Sequence, residues 1–209
     1  SFWGVNIGDS TSQALGYGSG ASAPFNYNWA HIAANDRIAD GVTVHVSNFA
    51  HEGATHDVFM GPTTGGTGRL SALWADADFK PSFVVIQPAS LNGGGAGLDS
   101  ANADSAVANA LQWCRALRDQ RIIPILRTIV PSGTLTPTQE ANRIAINTAM
   151  RSSGEAVFDI DYIVRDPSNT SQILPAYQLD STHLNAAGNE AAARHPALGF
   201  SAVLASIGA

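Results

Sequence analysis

Short apolar runs alternate along the chain with segments whose apolar residues recur at helical spacing. The first run is Phe2-Trp3-Gly4-Val5-Asn6-Ile7, closed by Gly8. Val42-Thr43-Val44-His45-Val46 is the second, and Ser82-Phe83-Val84-Val85-Ile86, entered from Pro81, the third. Ile122-Ile123-Pro124-Ile125-Leu126 and Ala156-Val157-Phe158-Asp159-Ile160 follow. Runs of this length, rich in Val, Ile and Phe, predict buried strands. Pro124 fits a central strand poorly, because it removes a ladder donor. Between the runs, Val107, Ala110, Leu111, Cys114 and Leu117 form one helical stripe. Thr136-Pro137-Thr138-Gln139 reads as a helix start, with a capping Thr, Pro at the first position and Gln three residues on. Ala141, Ile144, Ala145 and Thr148 are the expected inner face of that helix, and Gly154 its end. Asn28 is a candidate cap for a helix through Trp29, Ile32 and Ala33 that stops before Gly41. A last helix is expected from about Asn185 to Arg194, ahead of Pro196. The order is β-α repeated about five times, which predicts a parallel sheet flanked by helices. Ligands of such sheets bind beyond the carboxyl ends of the strands.

Composition narrows the function classes. The 209 residues suit a single domain over 1–209, and 44% hydrophobic with 13% charged residues is a globular balance. The net charge is −6, no basic run occurs, and Lys80 is the only lysine. A phosphate backbone or an anionic membrane is therefore an unsuitable partner. No apolar run approaches the roughly 20 residues that span a bilayer. Cys114 is the only cysteine, which excludes an internal disulfide and a cysteine-built zinc site. Its place in a helical stripe predicts a buried, unreactive thiol. The chain opens at Ser1 rather than Met, which points to processing, compatible with secretion or with excision from a larger protein. Compartment and oligomeric state are not legible.

Two segments carry candidate chemistry. Gly8-Asp9-Ser10 directly follows the first strand and precedes a possible helical turn. A serine there lies near the free N–H groups of a helix N-terminus; on its own it reads more readily as a helix cap. Asp180-Ser181-Thr182-His183 precedes the last helix. A serine hydroxyl needs a base to take its proton, and a histidine oriented by a carboxylate supplies one. Alone, that segment is also an Asx turn with a surface histidine. The two lie at opposite ends of the chain, each in a loop position that a parallel sheet exposes.

Gly8-Asp9-Ser10, with Asp180-x-x-His183 followed by Leu184-Asn185-Ala186-Ala187-Gly188, resembles the first and last sequence blocks of the SGNH (GDSL-type) hydrolase superfamily. Two looser blocks lie between. Asn48 to Thr55 is similar to the block in which a glycine N–H meets the oxyanion, which makes Gly53 the candidate. Ser90-Leu91-Asn92-Gly93 stands where the family has Gly-x-Asn-Asp, so Asn92 is retained while its flanking residues differ. The resemblance implies a flavodoxin-like three-layer α/β/α fold. It also implies an esterase with Ser10 as nucleophile, His183 as base and Asp180 as its orienting carboxylate. The N–H groups of Ser10 and Gly53 and the Asn92 amide would receive the oxyanion, donors worth roughly 3–4 kcal/mol each. No metal or cofactor is required.

The remaining polar residues have simpler expectations. His51 and His56 stand five residues apart around Gly53, unlike a metal-binding helix pair. Glu52 and Asp57 are expected to face solvent, and Asp9 to hold its turn through backbone hydrogen bonds. Asp159 and Asp161 are expected at an exposed strand end. The glycine-rich stretches at 16–20, 61–68 and 93–97 read as pocket lining or plain connections. No long lid or lipid-docking helix is evident, and Phe25, Tyr27 and Trp29 are placed either to stack on a sugar or to pack the core. A small acyl ester, acetyl foremost, on a carbohydrate is the favoured substrate. A lipase, lysophospholipase or thioesterase of the same family, and a non-catalytic binding module on this fold, are the alternatives.

Overall fold

A computed structural model describes residues 1–13, 28–51, 53–60, 68–76, 78–92, 98 and 103–209. Five parallel strands form one sheet in the order β2-β1-β3-β4-β5: β1 is Phe2–Ile7, β2 Val44–Asn48, β3 Phe83–Ile86, β4 Ile123–Arg127 and β5 Ala156–Phe158. This is the flavodoxin-like order, with its switch point between β1 and β3. The expected Ile160 end of the fifth run belongs instead to a following helix, and β2 begins two residues later than expected.

Among the described residues the helices are α1 Ser10–Gln13, α2 Trp29–Ala39, α3 His56–Phe59, α4 Arg69–Trp74, α5 Ala103–Asp119, α6 Pro137–Arg151, α7 Ile160–Val164, α8 Ala186–Arg194 and α9 Phe200–Ser206. The two-residue strand β6 (Arg165–Asp166) pairs antiparallel with β7 (Asn169–Ile173), and Pro175–Tyr177 forms a short 3-10 turn. The start signals perform as written. Asn28 accepts from the His31 N–H at 2.9 Å, and Thr136 with Gln139 closes a capping box.

Helices cover both faces of the sheet, which is why β3 buries all four of its residues. Val84 and Ile86 point into a core completed by Ala110, Trp113, Cys114 and Met150 of α5 and α6. Phe83 and Val85 point the other way, toward Trp29, Ala193, Phe200 and Leu204 of α2, α8 and α9. The architecture is thus three-layer α/β/α. Burial raises the Cys114 thiol to about 12, so it stays protonated and inert as expected. Trp29 is fully buried and packs on Phe158 and Phe200 at ring separations of 4.7 and 4.9 Å, so it is a core residue and not a sugar platform. Phe25, Tyr27, Glu52 and the glycine-rich stretches at 16–20, 61–67 and 93–97 lie outside the described residues.

Pro124 does sit inside a central strand, beside Val84. Ile123 donates to Ser82 on the β3 side at 3.0 Å, so the adjoining Pro124 nitrogen faces the β5 side. There β5 begins only opposite Ile125, and no ladder bond is lost.

The α6 expectation was misplaced. Its buried positions are Arg143, Ile146, Asn147 and Met150, while Ile144 is 47% exposed. Polar tasks set this choice. Asn147 both accepts from the Ile129 N–H (2.7 Å) and donates to its carbonyl (2.8 Å), holding the chain where it leaves β4. Arg143 donates to the Ile129 carbonyl at 3.1 Å and to Asp161 at 2.5 Å.

Asp159 and Asp161 are likewise buried rather than exposed, because Arg151 bridges them at 2.7 and 2.5 Å and Arg143 completes the cluster. Removing one member of a buried ion pair leaves the other uncompensated. Asp161→Ala is therefore expected to lower the urea-unfolding free energy by about 3 kcal/mol. A change within about 0.5 kcal/mol, the range of a neutral surface substitution, would contradict this account.

Candidate active site

Ile7, Ile86 and Leu126 lie side by side at the carboxyl end of the three central strands. The next residues, Gly8, Gln87 and Arg127, start the functional end of the molecule. Gly8 has to be glycine, since the Ser12 hydroxyl and the Gln87 side-chain oxygen fill the space a Cβ would need. The chain then turns sharply into α1, with Ser10 as its first residue. A first-turn N–H has no partner within its own helix.

Asp9, fully buried, organises this turn. Its Oδ1 accepts from the Thr11 N–H (3.0 Å) and hydroxyl (2.7 Å). Its Oδ2 accepts from Gln87 Nε2 (2.8 Å) and the Leu91 N–H (3.1 Å), and lies 3.2 Å from the Ser90 hydroxyl. The expected backbone bonds are present, and side-chain bonds to the β3 exit join them. Beneath the turn lies Arg127, also fully buried, which donates to the Thr11 hydroxyl (2.8 Å), the Thr11 carbonyl (3.4 Å) and Gln87 Oε1. Burial pulls its guanidinium down to about 10 despite the opposing pull of Asp9, so it remains a cation at neutral pH.

Asp180 and His183 arrive from the other end of the chain. Asn185 pins their loop: its side chain caps α8 at the Gly188 N–H (2.9 Å) and donates to the carbonyls of Ala176 (2.9 Å) and Gln178 (3.1 Å). Gly188 lets the loop close, because a Cβ there would stand 2.8 Å from the Tyr177 carbonyl. The Leu-Asn-Ala-Ala-Gly block is thus a helix start that fixes the preceding loop. On its other flank, Ser132 and Thr182 share a 2.8 Å hydroxyl bond, and the Gly133 N–H donates to Ser181.

Within this frame His183 Nδ1 lies 2.8 Å from Asp180 Oδ2, and His183 Nε2 lies 3.0 Å from Ser10 Oγ. An ionised carboxylate only accepts, so Nδ1 carries the proton and Nε2 is left to accept from the serine. Burial alone would raise the Asp180 pKa. The bonds from the His183 ring and from the N–H groups of Thr182 and His183 outweigh it and hold the carboxyl below its ordinary 3.8. A hydroxyl so aligned can pass its proton to the imidazole as its oxygen attacks a carbonyl.

Gly53 and Asn92 stand on the two loops between. Gly53 occupies the left-handed region at φ 67°, where glycine is favoured, in the turn after β2. The following carbonyl, of Ala54, accepts from Ser90 Oγ (2.7 Å) and from Asn92 Nδ2 (3.2 Å). An amide nitrogen carries two hydrogens, so this bond commits only one of the pair on Asn92. Ser90 also receives the Asn92 N–H at 2.9 Å and lies beside Asp9, which ties the Ser10, Gly53 and Asn92 loops to one buried centre. His51 is exposed, while His56 is buried with its Nε2 at 3.2 Å from the Asn109 amide.

This geometry joins sequence blocks from both ends of the chain, and the profile of the GDSL-like lipase/acylhydrolase family matches residues 7–191. The chain belongs to that family. As a GDSL-like hydrolase it is a carboxylic ester hydrolase. Its fold is shared with solved members. A G-D-S-L family protein from Desulfitobacterium hafniense DCB-2 is 17% identical, over 93% of this chain and 99% of the other, at a TM-score of 0.63. Axe2, an acetylxylan esterase from Geobacillus stearothermophilus, is 16% identical over 100% and 94%, at 0.61. The psychrotrophic esterase EstA from Pseudoalteromonas, solved inhibited by monoethylphosphonate, is 14% identical over 91% of each chain, at 0.52. At these identities the likeness concerns the fold alone. No curated protein matches the chain.

Sequence reasoning passed over Thr11, Gln87, Ser90 and Arg127 in this GDSL-like hydrolase. The available signal was the arginine closing an otherwise apolar strand, Ile122 to Leu126, at its carboxyl end. A charge placed there, deep in a buried sheet, has to be partnered by something in the site.

Proposed function

We propose that the protein is a serine esterase, one domain over residues 1–209, that removes small acyl groups, acetyl foremost, from a carbohydrate. Ser10 attacks the ester carbonyl while His183, oriented by Asp180, takes its proton. The N–H groups of Ser10 and Gly53 and the Asn92 amide receive the oxyanion. His183 then protonates the leaving alcohol, and water, activated by the same imidazole, hydrolyses the acyl-enzyme.

The observation that carries this reading is the unbroken hydrogen-bond chain from Asp180 through His183 to Ser10. Two further points support the short acyl group and the sugar. Among the described residues the exposed large apolar side chains, Trp3, Ile38, Val58, Ile144, Tyr162 and Leu179, are scattered over separate segments. Each stands on a different segment, so no single helix among the described residues presents a row of them of the kind that docks on a lipid surface. The acetylxylan esterase Axe2 shares the fold along the whole length of this chain.

Rates on nitrophenyl esters test the acyl group. Acetyl should be hydrolysed fastest, with kcat/KM falling at butyryl and again at octanoyl, and acetylated xylo-oligosaccharides should release acetate. An optimum at octanoyl or longer, or a preference for thioesters, replaces this reading with a lipase or a thioesterase of the same family.

A further inference from the structure

We propose that Arg127 is a positioning residue for the nucleophile: from beneath the sheet's carboxyl end it sets the turn that carries Ser10. The inference rests on the serine-esterase reading above and deepens it. Arg127 is fully buried, and its Nε–H has no hydrogen-bond partner among the described residues. Taking a cation out of water is expensive, and an apolar residue of similar volume commonly serves stability as well or better. A buried arginine with one donor unpaired is therefore a poor device for stability alone.

The three bonds of its terminal nitrogens go to the nucleophile turn and to Gln87, which is itself bonded to that turn. One nitrogen reaches the Thr11 hydroxyl at 2.8 Å and also Gln87 Oε1, and the other reaches the Thr11 carbonyl at 3.4 Å. Thr11 is the residue after Ser10. Its hydroxyl accepts from Arg127 and donates to Asp9 Oδ1 at 2.7 Å, so it links cation and anion. Gln87 forms a second link, accepting from Arg127 and donating to Asp9 Oδ2 at 2.8 Å. Ser10 thus lies between two residues that one buried charge network grips. Arginine has donors only, which fixes the direction of every bond in the network. The Thr11 hydroxyl must point at Asp9, and the Gln87 oxygen must face Arg127. Asp9 is then left to gather the Leu91 N–H and Ser90, and with them the Asn92 loop.

Without the guanidinium, the Thr11 carbonyl and Gln87 Oε1 lose a donor, and the Asp9 carboxylate is left buried without a counter-charge. The turn then has several arrangements instead of one. A displacement of the reacting atom by about 1 Å costs on the order of 100-fold in rate.

The test compares Arg127→Met, Arg127→Lys and the parent on nitrophenyl acetate, with reactive serines counted by a serine-directed phosphonate. Expressed per titrated site, kcat of Arg127→Met should fall about 100-fold with KM within about threefold of the parent. Arg127→Lys should recover part of the loss, since it restores the charge without the planar fork. A purely structural role would lower the unfolding midpoint and the number of titratable sites, and leave kcat per site unchanged; that result overturns the proposal. Should Arg127→Met fail to fold, Thr11→Val removes the linking hydroxyl at nearly constant volume. It should cost about tenfold in kcat per site, and parental kcat would be equally fatal. If the parent hydrolyses no ester, or Ser10→Ala works as well as the parent, the serine reading itself falls and takes this inference with it. An active parent with an unaffected Arg127→Met removes this inference alone.

Discussion

Ser10→Ala is expected to lower kcat for ester hydrolysis by about 10,000-fold to a million-fold while leaving the protein folded. The chemistry sets the size of the loss. No acyl-enzyme forms without the hydroxyl, and what remains is whatever the bound ester gains from the oxyanion donors and from water activated by His183. Neighbouring hydroxyls cannot stand in. Ser12 is fully buried and bonded to Gln87 at 2.8 Å, and Ser90 is fully buried and held by the Ala54 carbonyl at 2.7 Å. The stability cost is small by comparison. Among the described residues the lost group makes a single hydrogen bond, to a partly exposed imidazole, which is worth on the order of 1 kcal/mol. Steady-state rates on nitrophenyl acetate, with a urea midpoint as the control for folding, measure both quantities. An alanine variant as active as its parent ends the serine mechanism.

The parts of this site that can be read from sequence are those whose partners are local or whose position a strand end dictates. Ser10 stands at the end of β1 and His183 just ahead of α8, and the alternation of apolar runs with capped helices places both at the same edge of the sheet. Asn28, Thr136 and Asn185 mark helix starts because each bonds a residue three positions on. What stays hidden depends on long-range partners. Arg127 meets Thr11 across 116 positions and Gln87 across 40, and no local pattern announces either contact. The α6 stripe was misread for the same reason: Asn147 and Arg143 turn inward to serve Ile129 and Asp161, which overrides the apolar appeal of Ile144. Three further elements carry no such signal. Strands β6 and β7 are almost wholly polar, and α9 starts at Gly199 without a capping side chain.

Asp180→Asn is the second substitution with a large expected effect, a fall in kcat of about 10,000-fold. Distance alone would not suggest it, because asparagine has nearly the same shape. The loop's hydrogen bonds decide. Oδ1 of Asp180 already accepts from the N–H groups of Thr182 (2.8 Å) and His183 (2.7 Å). An asparagine placed there keeps its oxygen toward those two donors and turns its NH2 group to His183 Nδ1. Two donors then face each other, so the imidazole takes the tautomer with its proton on Nε2. That nitrogen points at Ser10 and can no longer accept the serine proton. The loop stays closed while the base is lost, so binding and fold should persist with KM near that of the parent. The pH argument has the same sign. The folded pKa of Asp180 is depressed, so its contribution to the loop is present above its ordinary 3.8 and is lost only as pH falls through the lower folded value. Across the neutral range the carboxylate is therefore ionised, and titration of Asp180 itself between pH 5 and 8 cannot mimic the substitution. A variant within about tenfold of the parent at pH 7 would mean that Asp180 does not orient the base, and the acid of the triad would have to be sought elsewhere.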